Sequence, residues 1–202
     1  QTISKGPQWE TNFAIGEIDK NKNDSGDHYL DIAFQTDDNN SWIYKGSSSG
    51  FTLFKNLLVS FQHLGTPGVG DVNGDGFDDY VASTGQVYHG GIAMYDTVVI
   101  DYLGVGSSYR SEVNASADIN YDGKNDIIVG DGGSATTKGT LWIFYSDGDN
   151  IAEFIINGDS LTNGIKYPSD IEAADINGDK HDDFIAVGQD VNISLSKQGA
   201  IY

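Results

Sequence analysis

One nine-residue stretch, Asp71-Val-Asn-Gly-Asp-Gly-Phe-Asp-Asp79, returns twice in the same register. The copies read DINYDGKND at 118–126 and DINGDKHDD at 175–183. In each copy, oxygen-bearing side chains occupy positions 1, 3, 5 and 9, and the backbone carbonyl at position 7 offers one more oxygen. Calcium favours six to eight oxygen ligands, so the repeat predicts three calcium-binding loops.

The predicted ligands come from the same five positions of each loop, with position 7 contributing only its carbonyl. They are Asp71, Asn73, Asp75, Phe77 and Asp79; Asp118, Asn120, Asp122, Lys124 and Asp126; and Asp175, Asn177, Asp179, His181 and Asp183. An EF-hand would need a bidentate Glu at position 12, but position 12 is Ala82, Val129 or Ala186. The residues after each loop are β-branched and aromatic, so each loop is predicted to join two strands. The same feature argues against a dockerin, whose loops lead into helices.

The spacing of the loops indicates the architecture. They begin 47 residues apart (71 to 118) and then 57 residues apart (118 to 175), and a period near 50 is typical of propeller blades. Predicted strands fall at 12–18, 30–34, 41–45 and 51–61; at 68–72, 79–83, 91–95 and 97–103; and at 113–119, 126–130, 139–145 and 152–157. We therefore expect an all-β fold, a β-propeller of four-stranded blades forming one domain over residues 1–202.

The two ends of the sequence predict how the ring closes. Residues 198–202 match a third strand, while residues 2–5 precede the first blade where an outer fourth strand belongs. We expect four blades at about 9–61, 68–105, 113–158 and 170–202, with 1–6 completing the last. Such closure leaves only short protected edges. The alternative is part of a longer propeller with more blades.

The three loops, the strands after them and the stretch VGDGGSATTKGTLWIFY at 129–145 resemble the FG-GAP repeat family. This family provides the blades of the integrin alpha-chain propeller and of microbial and fungal relatives, and the resemblance covers most of the chain. It implies a calcium-stabilised β-propeller, generally extracellular, that serves adhesion or ligand binding and seldom catalysis.

Two features depart from the family pattern. Lys180 replaces the glycine at position 6 of the third loop, where a sharp turn is wanted, which predicts weaker binding or strain elsewhere. The first blade lacks a clear loop. Counting back from Asp31 places Asn23, Ser25, Asp27 and Asp31 at positions 1, 3, 5 and 9, a possible weaker metal site with only two carboxylates.

Composition limits the partners and the location. The net charge of −19 repels nucleic acid and anionic membranes. No apolar run approaches the roughly 20 residues of a membrane span. Cysteine is absent, so metal binding would replace disulfides as the stabilising device. A chain opening on Gln1 suits a secreted or extracellular product after signal removal, although a trimmed chain would look the same.

No catalytic constellation is recognisable, and the carboxylates that could form a glycosidase pair are already assigned to calcium. Four residues are predicted to lie in connections between strands, where they could contact a sugar or a partner: Tyr88, His89, Tyr109 and Tyr167. We therefore expect a non-enzymatic recognition or adhesion module, with lectin-like binding of a glycan or binding of an extracellular protein. The alternative is an accessory or catalytic propeller domain of a polysaccharide-degrading enzyme.

Overall fold

The computed structural model describes residues 12–19, 29–36, 40–58, 65–91, 94–99, 111–131, 139–148, 152–157, 166–192 and 197–201. Within these ranges the chain forms β-strands, turns and bends, and no α-helix. The all-β prediction is confirmed for the described residues. None of these residues belongs to a helix that could span a membrane.

The strands form four antiparallel sheets, each a simple meander. The first contains β1 (Asn12–Gly16), β2 (Asp31–Thr36), β3 (Asn40–Lys45) and β4 (Thr52–Leu58), and the second contains β5 (Gly68–Gly70), β6 (Asp79–Val81), β7 (Gln86–His89) and β8 (Tyr95–Val99). The third contains β9 (Ser111–Ala117), β10 (Asp126–Asp131), β11 (Thr140–Phe144) and β12 (Ala152–Asn157), and the fourth contains β13 (Lys166–Ala174), β14 (Asp183–Asn192) and β15 (Lys197–Ile201).

Most predicted strands agree with these bounds, but the third strand of the second sheet was wrong. It was expected at 91–95, and it lies at Gln86–His89. A tight turn precedes it, with the Gly85 amide donating to the Ala82 carbonyl (2.8 Å), so the chain reverses at once. Gly91 has a φ of +105°, which an extended strand does not accommodate.

Successive sheets lie side by side through their first strands. β1 contacts β5, β5 contacts β9, and β9 contacts β13. A short parallel bridge joins Thr66 to Glu112, and the Val113 amide donates to the Thr66 carbonyl (3.0 Å). β5 and β9 approach so closely that a Cβ on Gly70 would overlap the backbone carbonyl of Ala115. Glycine is therefore required at position 70.

The hydrophobic core lies between sheets, in three clusters. Along β6 the side chains alternate, so that Tyr80 packs towards the first sheet and Val81 towards the third. The third cluster joins the third and fourth sheets through residues such as Ile128 and Ile171. The second strand of each middle sheet, β6 or β10, is consequently buried on both faces, which explains its apolar residues.

The predicted ring closure is tested only in part. β15 pairs with β14 as the third strand of its sheet, as expected. Residues 2–5, the predicted closing strand, lie outside the described residues. The four meanders therefore stand as described, and closure into a ring of four blades remains a prediction.

Candidate metal-binding loops

The three repeated loops occupy equivalent places in the fold. Each one connects the first strand of a sheet to the second: β5 to β6, β9 to β10, and β13 to β14. They begin directly after the strands through which neighbouring sheets meet. The three loops consequently lie at corresponding ends of neighbouring sheets.

The carboxylate at position 1 organises each loop by accepting three backbone N–H groups. Asp71 Oδ1 accepts from Gly74 (2.8 Å) and Asp75 (3.0 Å), and Oδ2 accepts from Gly76 (2.9 Å). The same bonds recur on Asp118, which accepts from Tyr121 (2.7 Å), Asp122 (3.2 Å) and Gly123 (2.9 Å). They recur again on Asp175, which accepts from Gly178 (2.7 Å), Asp179 (3.0 Å) and Lys180 (2.9 Å). All three loops therefore share one conformation.

The side chains at positions 3 and 5 also accept backbone N–H groups, each from the residue two positions later. Asn73 Oδ1 accepts from the Asp75 amide (2.8 Å), and Asp75 Oδ1 accepts from the Phe77 amide (2.9 Å). Equivalent bonds occur at Asn120, Asp122, Asn177 and Asp179. A carboxylate oxygen has two lone pairs, so an oxygen that accepts one N–H keeps capacity for a further interaction. The backbone therefore orients these side chains in the same way in all three loops.

Two positions in each loop adopt left-handed backbone conformations. Position 4 has φ values of +79°, +68° and +81° at Gly74, Tyr121 and Gly178, and position 6 has +92°, +88° and +73° at Gly76, Gly123 and Lys180. The left-handed conformation therefore places a steric cost on Lys180 itself, because a residue with a Cβ disfavours it. Tyr121 carries a similar cost, which the sequence pattern did not predict.

The carboxylate at position 9, which is buried at Asp79 and Asp126 and partly buried at Asp183, fastens the loop to the rest of its sheet. Asp79 Oδ2 accepts from the Val72 amide (3.0 Å) and Oδ1 accepts from the Gly90 amide (2.8 Å). Asp126 likewise accepts from Ile119 (2.8 Å), Asn120 (3.2 Å) and Ser146 (3.0 Å), and Asp183 accepts from Ile176 (3.2 Å). The sequence predicted a metal ligand at this position but not its hydrogen-bonding role.

Burial makes these carboxylates costly to ionise. Desolvation raises the pKa of Asp79 to about 6, with the Asp75 charge adding to the rise, while the Gly90 amide and His89 oppose it. Burial likewise raises the pKa of Asp126, against the hydrogen bonds that it accepts. A nearby divalent cation would favour the ionised form at both positions.

The first sheet contains a related loop in a different register from the one predicted. Asp31 accepts from the amides of Ile18 (2.9 Å), Asp19 (2.9 Å) and Gly46 (2.8 Å), the pattern seen at Asp126. Because positions 2 and 3 supply these amides, Glu17 occupies position 1. The predicted start at Asn23 is therefore corrected. Asn23, Ser25 and Asp27 lie outside the described residues, and a long insertion before Asp31 concealed the register.

The residues predicted to bind a ligand separate into two groups. Tyr88 lies within β7 rather than in a connection, its ring is buried in the first core cluster, and its hydroxyl donates to the Leu58 carbonyl (3.2 Å), so that prediction was wrong. His89 is partly exposed, with Nδ1 3.0 Å from Asn73 Nδ2 and 3.3 Å from Asp79 Oδ1. Tyr109 and the Tyr167 side chain lie outside the described residues.

His89 lines a cavity of about 230 Å³ between the loop ends of the second and third sheets. Its apolar lining includes Val87 and Phe144, and Lys124 adds a cation whose Nζ donates to the Ser146 carbonyl (3.0 Å). The cavity combines an apolar floor with a few polar groups, which is typical of small-ligand sites.

Among the residues that the structure describes, no group of three or more Asp, Glu, His or Cys side chains is already gathered as a metal site. Each loop nevertheless presents three carboxylates and one amide oxygen within nine residues, on a backbone that their own hydrogen bonds fix. Oxygen donors of this kind and number fit a hard cation.

Residues 118–186, which include the second and third loops, match a family model described as FG-GAP-like repeat. A search of curated proteins found no match.

Proposed function

Because residues 118–186 form an FG-GAP-like repeat, a module found in integrin-like propeller domains, we propose that this protein is a calcium-stabilised β-propeller that recognises a ligand without catalysing a reaction. The four sheets are its blades. Its ligand is a glycan or an extracellular protein, and the protein acts outside the cell. We propose no role in binding nucleic acid or in membrane insertion, because the net charge is −19.

The observation that carries the calcium proposal is that positions 1, 3 and 5 accept the same backbone hydrogen bonds in three loops that are far apart in sequence. The backbone amides of each loop hold its position 1 carboxylate in one orientation, as at Asp71. Burial is the main cause that raises the pKa of Asp79 to about 6, and repulsion from the Asp75 carboxylate adds to the rise. A divalent ion would relieve that repulsion.

The residues that would hold the ion are the predicted ones, at positions 1, 3, 5, 7 and 9 of each loop. The ion would supply charge neutralisation and a link between the two strands that the loop joins. At 100 times its dissociation constant, each site adds about 2.7 kcal/mol to the free energy of unfolding, so three independent sites add on the order of 8 kcal/mol. That rivals the roughly 5–15 kcal/mol of an ordinary domain.

The test is isothermal calorimetry and thermal denaturation of the full chain with calcium, with magnesium and with excess chelator. We expect up to three calcium ions per chain and a steep loss of melting temperature on chelation. Asp122→Asn should remove one ion, whereas Asp170→Asn, an exposed aspartate outside the loops, should remove none. Unchanged melting and no heat of calcium binding would reject the structural role of calcium.

For recognition, the cavity beside His89 is the candidate ligand site. Its volume suits one sugar ring or one side chain of a partner rather than a drug-sized molecule. A glycan array probed with calcium-loaded protein separates the possibilities. Defined glycan binding that His89→Ala abolishes and His181→Ala preserves supports a lectin. Turnover of a polysaccharide would instead identify an enzyme domain, and silence in both assays favours a protein partner.

Closure of the ring is tested by deleting residues 1–7. If residues 2–5 pair beside β15, the deletion exposes a strand edge, and we expect aggregation or a lower melting temperature. An unchanged melting curve would show that these residues do not complete the fourth sheet.

A further inference from the structure

The residue at position 8 of each loop has no place in the oxygen pattern at positions 1, 3, 5, 7 and 9, yet it makes the same contact at three junctions between sheets. Its side-chain oxygen accepts the backbone N–H at position 1 of the preceding loop. The donor and acceptor pairs are Glu17 to Asp78 (2.8 Å), Asp71 to Asn125 (2.9 Å) and Asp118 to Asp182 (3.0 Å).

At two of these junctions the backbone returns the bond. The Asp78 amide donates to the Glu17 carbonyl (2.9 Å), and the Asn125 amide donates to the Asp71 carbonyl (2.8 Å). At these two junctions, the next loop along the chain therefore binds both the backbone N–H and the backbone C=O of the residue at position 1.

Position 7 adds a second contact between neighbouring loops. The aliphatic part of Lys124 covers Gly74, so that a Cβ there would lie 3.2 Å from the Lys124 Cγ. One junction further along, the His181 ring meets the Tyr121 ring edge-on with centroids 3.8 Å apart. In both cases position 7 of one loop packs against position 4 of the preceding loop.

These contacts connect the parts of the loops that matter most for binding a cation. Position 1 carries the carboxylate around which its own loop is organised. Position 8 lies between the carbonyl at position 7 and the hydrogen-bonded carboxylate at position 9 of its own loop, so closing that loop also fixes position 8. When one loop is ordered, its position 8 residue therefore fixes the orientation of the position 1 residue in the preceding loop.

We propose that Asp78, Asn125 and Asp182 are positioning residues that couple adjacent cation sites, so that calcium fills neighbouring loops cooperatively. The inference rests on the proposed calcium binding and adds residues that the ligand pattern does not contain. Because coupling between binding sites is reciprocal, calcium in loop 118–126 raises the affinity of loop 71–79, and the reverse also holds.

The junction between the second and third sheets offers the sharpest test. Asn125→Ala removes the oxygen that accepts the Asp71 amide and leaves every predicted ligand in place. Asn125→Asp keeps that oxygen, as Asp78 and Asp182 do at their own junctions. Asn114→Ala serves as the control, since Asn114 lies in β9 and bonds outside the loops.

Calcium alone is the probe, and NMR of protein labelled with 15N-glycine reads each loop separately. Gly76 and Gly123 report on neighbouring loops, because their amides donate to the position 1 carboxylates Asp71 and Asp118. In the wild-type protein we expect both amides to titrate together with a Hill slope above 1. In Asn125→Ala the Gly76 midpoint should move to about five- to tenfold higher calcium, the effect of losing one hydrogen bond.

In that variant the Hill slope should fall to about 1 and the Gly123 midpoint should also move to higher calcium, because coupling between the two loops is reciprocal. Asn125→Asp and Asn114→Ala should behave as the wild type. A Gly76 midpoint within about twofold of wild type, or a shift confined to Gly76, would overturn the coupling while leaving calcium binding intact. A wild-type protein with no calcium-responsive glycine would overturn both proposals. Should Asn125→Ala fail to fold, Asp182→Ala repeats the test one junction along, where the Gly123 midpoint should move.

Discussion

Removing the carboxylate of Asp126 should destabilise the protein even when no metal is present. The side chain is fully buried and accepts three backbone N–H groups, from Ile119 (2.8 Å), Asn120 (3.2 Å) and Ser146 (3.0 Å). Asp126→Ala leaves all three donors without this acceptor. The substitution therefore removes the hydrogen bonds by which Asp126 holds the start of the loop and the turn after β11.

The magnitude follows from the number of donors left behind. A buried N–H without a partner costs about 1–3 kcal/mol, and these amides are only part-buried, so we take the lower end for each. The expected loss is about 3 kcal/mol from the free energy of unfolding. Since a domain has roughly 5–15 kcal/mol in total, this loss is large.

Urea denaturation in excess chelator measures this loss without any contribution from calcium. Asp122→Ala is the matched control, because Asp122 belongs to the same loop but is exposed, and water can replace it as the acceptor for the Lys124 amide. We expect Asp122→Ala to cost less than about 1 kcal/mol in chelator, and both variants to lose calcium binding at this loop. Equal destabilisation by the two variants in chelator would refute the hydrogen-bonding role of Asp126.

Three further predictions follow. In metal-free buffer, the free energy of unfolding of the wild type relative to Asp79→Asn should fall on the order of 2 kcal/mol as the pH rises from 4 to 6. The reason is that the native pKa of Asp79, about 6, exceeds its unfolded value of 3.8. A difference that stays constant over this pH range in urea denaturation would contradict the prediction. Lys180→Gly should raise stability by about 1 kcal/mol in thermal denaturation by relieving the φ of +73°, and an unchanged or lower melting temperature would argue against strain. Gly70→Ala should lower the free energy of unfolding by about 3 kcal/mol or prevent folding. Gly68→Ala should cost less, because its Cβ would meet its nearest atoms at 3.0 Å. Equal stability of the two variants would contradict the close approach of β5 to β9 at Gly70.

The sequence predicted the β-structure and the loop register for local reasons. The oxygen-bearing residues alternate along each loop, and the β-branched and aromatic residues that follow form strands. The sharp turn expected at position 6 is present as left-handed backbone at Gly76, Gly123 and Lys180. The third strand of the second sheet was missed because the turn ending at Gly85 is short and lacks a strong pattern.

The tertiary structure decided everything that depends on partners distant in the chain. The carboxylate of Asp31 shows that the first loop begins at Glu17, because its hydrogen bonds cross an insertion that a count along the sequence cannot bridge. The burial of Tyr88 follows from the packing of two sheets against each other. The contact between Asn125 and Asp71 spans 54 residues and repeats at other junctions only because the sheets stack in chain order. The nine-residue pattern determines the conformation of its own loop, because those hydrogen bonds are local. The hydrogen bonds between loops depend on which sheets become neighbours, and only the tertiary structure determines that.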